Sequence, residues 1–147
     1  MSEPATPIPE TILVIPDTQV EPGDPLDHLG WIGEELLCYR KKPNLTIVQL
    51  GDHAHMASLS SYDRGKKEME GRRYNADIEA ANAGFDLLCA PMDAYNVRKR
   101  RDKEKLFLPR RILTLGNHEN RINVATSLDA RLDGTISTDD LNYAAHG

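Results

Sequence analysis

The sequence lacks any apolar run approaching the roughly 20 residues that a membrane-spanning helix needs, and its opening carries no signal-peptide pattern. A soluble cytoplasmic protein without a membrane partner is the expectation. Cysteine is scarce: Cys38 and Cys89 stand alone, without C-x-x-C spacing. That leaves no disulfide framework to read and predicts two reduced thiols buried within helices. An excess of positive charge is also missing, the formal net charge being -5, which argues against a protein that coats nucleic acid generally but leaves room for a local basic patch. No internal repeat or interdomain linker is visible. The 147 residues, 39% of them hydrophobic, suit one domain with its own core.

What is present reads as alternating strands and helices. Residues 1–10 hold three prolines and little to bury, and so predict a flexible lead ahead of a domain over 11–147. A first strand over Thr11 to Ile15 gives way to a loop, Asp17 to Pro25, in which Asp24 is positioned to cap a helix with Pro25 at its first position. Leu26, Leu29, Ile32, Leu36 and Leu37 continue that helix towards Lys42. A second strand leads into Gly51-Asp52. Tyr74, Ile78, Ala81, Phe85, Leu88 and Met92 then mark the seam of a long amphipathic helix, which Pro91 should kink or divide. A third strand is expected from Arg110 to Gly116. A short helix, a turn at Leu132-Asp133-Gly134, and a last helical piece capped by Ser137 or Thr138 complete the reading.

The three apolar runs end alike. Ile12-Leu13-Val14-Ile15 runs into Asp17, Thr46-Ile47-Val48-Gln49-Leu50 into Gly51-Asp52, and Ile112-Leu113-Thr114-Leu115 into Gly116-Asn117-His118-Glu119. If the strands are parallel, two carboxylates, an amide and an imidazole meet at one rim, where open α/β sheets place their chemistry. Hard oxygen donors mixed with imidazole suit a divalent metal of the Mn, Fe or Zn kind better than thiolate chemistry does. His53 and His55, directly after Asp52, are expected at the rim, and His28 and His146 on the surface.

In these motifs, Asp17-Thr18-Gln19, Gly51-Asp52 and Gly116-Asn117-His118-Glu119, the chain resembles the calcineurin-like metallophosphoesterase superfamily, whose pattern is D-x-H, G-D and G-N-H-[E/D]. With Ser60-Ser61-Tyr62-Asp63 and Leu132-Asp133-Gly134 it looks most like the phage-encoded branch. The resemblance implies the N-terminal half of a four-layer α/β/β/α sandwich, with a mostly parallel sheet flanked by helices. It also implies a cofactor of two divalent metal ions (Mn, Fe, Zn or Ni) sharing a hydroxide. Asp17 would serve the first metal, Asp52 would bridge, and Asn117 would serve the second and touch substrate. His118 would contact the phosphate and act as general acid, a role an imidazole suits because it titrates near neutrality; Glu119 or a backbone group would orient its ring.

Two departures stand out. Gln19 occupies the place of a metal-binding histidine, so its amide oxygen is the candidate ligand there. The later His block and the G-H-x-H block, which supply ligands to both metals, would fall beyond Gly147. The expectation is therefore a domain truncated at its C-terminus, or one completed by a partner chain, with one sheet face left apolar and bare. The function implied is hydrolysis of a phosphoester, of phosphodiesterase or nuclease character. The alternatives are a non-catalytic binding module on the same fold and a DNA-binding accessory using the basic run Arg98 to Lys105 with Arg110 and Arg111. Arg72-Arg73 and Tyr74 suggest nucleic acid in the same way, whereas Asp63-Arg64-Gly65 lies too far from Asp52 to match a protein-phosphatase motif.

Overall fold

The computed structural model describes residues 10–146, so the lead expected over residues 1–10 lies, but for Glu10, outside the described residues. Strand β1 (Thr11–Ile15) is followed by helix α1 (Asp27–Cys38), strand β2 (Leu45–Gln49), helix α2 (Tyr74–Arg101), strand β3 (Arg110–Leu113) and helix α3 (Arg121–Leu128), with short 3-10 turns between and after them. The protein is thus α/β, with one three-stranded sheet in the order β1-β2-β3, parallel throughout.

Both crossovers step in the same direction across the sheet, and connections of one hand then lay both helices on one face. The core bears this out: Leu29 and Leu36 of α1 and Phe85, Leu88 and Met92 of α2 share one buried cluster with Ile15, Leu45 and Ile47. Burying each such side chain contributes roughly 1.5–3 kcal/mol. The opposite face carries the row Val14, Val48, Ile112 in register, and there Ile12 and Val14 are 55% and 53% exposed. A second, smaller cluster of Ala54, Met56, Ala81, Ile122 and Leu141 supports the rim beyond the strand tips.

Four local expectations are corrected. Helix α1 starts at Asp27, not Pro25, because Glu21 to Asp24 close a turn of their own and the Leu26 carbonyl accepts the Leu29 N–H at 2.9 Å. Asp24 therefore caps nothing. Pro91 does not divide α2, which runs unbroken through 28 residues; the proline ring instead packs against Gly33 of α1, where a Cβ would stand 2.3 Å from the Leu88 carbonyl oxygen. Only glycine lets the two helices approach so closely. Strand β3 stops at Leu113, although Thr114 N–H still donates to the Gln49 carbonyl at 3.1 Å, because the chain then turns to bring Gly116 onto Asp52. Of the cysteines, Cys89 is buried but Cys38 is exposed.

The last turn behaves as read: Ser137 caps Thr138–Leu141 in a capping box with Asp140. No described helix is long and apolar enough to cross a membrane.

Candidate functional site

The rim is assembled by buried polar side chains that tie the strand-end loops together. Gln49, the last residue of β2, turns its amide back on its own loop, with Oε1 accepting the Gly51 N–H at 2.6 Å and Nε2 donating to the Gly51 carbonyl at 3.2 Å. The chain leaves through Gly51 (φ 95°) and Asp52 (φ 51°), two left-handed residues in succession. This tight reversal carries the Asp52 side chain onto the loop after β3. There its Oδ1 accepts the His118 N–H at 2.8 Å. Gly116 has no room for a side chain, since a Cβ would stand 2.0 Å from Asp52 Oδ1 and 2.4 Å from Asp52 N.

Glu119 locks this arrangement from beneath. It is fully buried, and its carboxylate accepts four hydrogen bonds: Oε2 from Asp52 N–H at 2.9 Å and Gly116 N–H at 2.8 Å, Oε1 from Ala54 N–H at 3.0 Å and the Tyr143 hydroxyl at 2.8 Å. Burial, reinforced by the adjacent Glu119 carboxylate, pushes the Tyr143 phenol well above its ordinary pKa. Tyr143 therefore remains a donor.

The loop after β1 joins by its backbone. Gln19 N–H donates to the Asp52 carbonyl at 2.9 Å, Val20 N–H to the His53 carbonyl at 2.7 Å, and His55 N–H to the Val20 carbonyl at 3.1 Å, continuing the parallel pairing past the strand ends. Gln19 takes φ 43° to do so. The Thr18 hydroxyl donates to His53 Nδ1 at 2.6 Å, while His53 Nε2–H donates to the Ala81 carbonyl at 2.9 Å. His53 stacks on Phe85 at 3.8 Å, and burial lowers its pKa to about 4. It is a neutral core histidine with both nitrogens engaged, not the rim residue expected.

His118 is oriented by a backbone group, not by Glu119. Its Nδ1–H donates to the His55 carbonyl at 2.9 Å, which also receives the Arg121 guanidinium at 2.9 Å. His118 Nε2 makes no hydrogen bond among the described residues. The His55 ring meets His118 edge-on at 4.7 Å, with its Nε2 3.2 Å from Glu21 Oε1 and Glu21 in turn paired to Arg72 at 2.6 Å. Burial lowers the His55 pKa, with His118, Arg121 and Arg72 adding to the effect against the pull of Glu21. His55 Nδ1 is buried without a partner.

Asp52 and His118 are thus in direct contact, and Asn117 lies between Gly116 and His118 in the same loop. Asp17 and Gln19 stand on the neighbouring β1 loop. The side chains of Asp17, Gln19 and Asn117 are exposed and make no hydrogen bond among the described residues, so their oxygens, with Asp52 Oδ2, are free donors. Such donors suit a hard divalent cation. Among the described residues no three His, Cys, Asp or Glu side chains cluster closely enough to hold a metal ion; the two amides lie outside that set of residue types.

His146, expected at the surface, stacks on Phe85 at 5.5 Å and lies 3.6 Å from Asp86. Arg121, Thr18 and Tyr143 were not anticipated at the site. The Gly116 to Glu119 spacing held the one readable hint, because a Glu three residues past a turn can reach back to that turn's N–H. No family model matches the chain, and no curated protein or solved structure is significantly similar to it.

Proposed function

We propose that the protein is a metal-dependent phosphoester hydrolase, of phosphodiesterase or nuclease character, and that its sheet is the first half of a four-layer α/β/β/α sandwich. The observation that carries this reading is the junction of the β2 and β3 tips, where the Asp52 carboxylate receives the His118 N–H and leaves one oxygen free.

Asp17 and Gln19 would hold one divalent ion and Asn117 the other, with Asp52 between them. Bound there, the ions would supply neutralisation of the ester's charge and a more acidic water. The remaining work falls to the chain. Because His118 Nδ1–H is held by the His55 carbonyl, Nε2 is the nitrogen that faces reaction. In the imidazolium form it gives its proton to the leaving oxygen as the P–O bond breaks, and the bonding electron pair stays on that oxygen. Arg121, anchored on the His55 and Met56 carbonyls, keeps positive charge beside the ring and favours an anionic ester there.

The test is turnover of bis(p-nitrophenyl) phosphate with added manganese. Turnover that requires the metal is expected, with His118→Ala lowering kcat/KM by about 10²–10⁴ while manganese affinity stays within twofold. A folded protein with no manganese-dependent turnover overturns the proposal.

A second reading, a binding module without catalysis, is favoured by one observation: the Asp52 carboxylate already has a structural partner in His118 N–H. Under that reading Asp52→Asn leaves the metal content of the purified protein unchanged at zero. Under the first reading, metal is present and is lost in the variant.

A further inference from the structure

The end of the sheet away from the strand tips holds an open cleft of about 960 Å³. Three segments distant in sequence form it: Glu10 before β1, Arg40 to Thr46 from the loop after α1 into β2, and Lys105 to Arg110 from the loop after α2 into β3. Its lining brings together Arg40, Lys42, Lys105 and Arg110, against the single carboxylate of Glu10. A basic run on one helix is ordinarily a solvated face. Here the cations come from separate elements and line one concavity, on a chain whose net charge is -5, although Arg40 also donates to the Leu37 carbonyl at 2.9 Å.

The nearby acids are already neutralised. Glu104 pairs with Lys99 and Asp102 with Arg101, while none of the four cleft cations has a carboxylate within ion-pairing distance among the described residues. Glu10 accepts from the Thr46 hydroxyl at 3.3 Å. Phe107, the one aromatic in the lining, is buried, so no ring is free for a base to stack on.

We propose that this cleft binds the phosphate backbone of nucleic acid, by charge and without reading bases. Protein interfaces centre on aromatic and apolar anchors, whereas nucleic-acid interfaces are polar and strongly positive. Pro43, Leu106, Leu108 and Pro109 make the lining partly apolar, but its four cations against one carboxylate match the second description in charge. The inference does not depend on the hydrolase reading, since the cleft lies at the opposite end of the strands.

Fluorescence anisotropy on the full chain with a labelled 20-base-pair duplex, in EDTA to silence any metal chemistry, tests it. Four phosphate contacts predict a slope of log K against log salt of about -3.6, a loss of roughly a hundredfold in affinity between 50 and 200 mM salt. The double variant Lys105→Glu, Arg110→Glu should bring the slope to about -1.8 and that loss to about tenfold. Arg64→Glu with Lys67→Glu makes the same charge change on exposed residues outside the cleft, and should leave binding within twofold. Absence of binding at 50 mM salt, or equal loss in both double variants, overturns the proposal. Poly-glutamate competing as well as DNA overturns the choice of nucleic acid. Binding abolished by Asp52→Asn but untouched by the cleft variants overturns the cleft while leaving the hydrolase reading intact.

Discussion

Replacing Glu119 should damage the rim more than any other single change there. In Glu119→Ala, the N–H groups of Asp52, Ala54 and Gly116 and the Tyr143 hydroxyl lose their acceptor together. A buried donor left unpaired costs about 1–3 kcal/mol, and water entering the vacated space recovers part of it. The expected net loss is roughly 4–6 kcal/mol, comparable to the whole stability of a small domain. Glu119→Gln keeps the volume but must turn an amide N–H₂ towards N–H donors, for about 2–4 kcal/mol. Tyr143→Phe removes a single donor and should cost about 1–2 kcal/mol. Urea denaturation followed by circular dichroism ranks the three, and native-state hydrogen exchange should report faster exchange at the Asp52, Ala54 and Gly116 amides before the strands open. If Glu119→Ala unfolds within 1 kcal/mol of the parent, or Tyr143→Phe proves the more damaging change, then the carboxylate is not the keystone described here.

His53 should make stability depend on pH. Its folded pKa, lowered by burial to about 4, lies below the unfolded value, so the unfolded chain binds the extra proton first and stability falls as pH drops from about 6.5 towards 4, by up to about 3 kcal/mol. Comparing denaturation midpoints of the parent and His53→Gln across that window isolates the effect, which the variant should lack. Gly116→Ala would force its Cβ into Asp52 and is expected to destabilise the protein by about 1–3 kcal/mol and to abolish manganese binding, read by calorimetry. Gly33→Ala drives against the Leu88 carbonyl and should cost a similar amount in urea while leaving the rim amides protected; loss of their protection would show the helix pair and the rim to be coupled.

The strand tips were legible because they rest on local chemistry: an aliphatic or β-branched run, then a proline or glycine and an oxygen-bearing side chain, announces a strand and its end within a few residues. Thr11–Ile15 matched its expected bounds for that reason. The α2 seam was readable from periodicity, and Ala81, Phe85, Leu88 and Met92 are indeed buried. What failed depended on partners far away in the chain. Pro91 looks like a helix breaker until Gly33 supplies a groove for its ring, and His53 looks like a rim residue until Thr18 and Ala81 claim both of its nitrogens. Glu119 was visible as part of a motif, but its role was not, since three of its four donors lie in other loops. Asp24 failed more simply, because a turn and a cap compete for the same short residues.

The junction at Glu119 also sets an order of events during synthesis. The layer of α1 and α2 on the sheet draws most of its contacts from residues up to Leu113 and can condense as soon as that stretch emerges. The carboxylate clamp gains its fourth donor only once Tyr143 has cleared the ribosome as well. A nascent chain paused between those two points would own a hydrophobic interior yet lack the last donor of a finished rim.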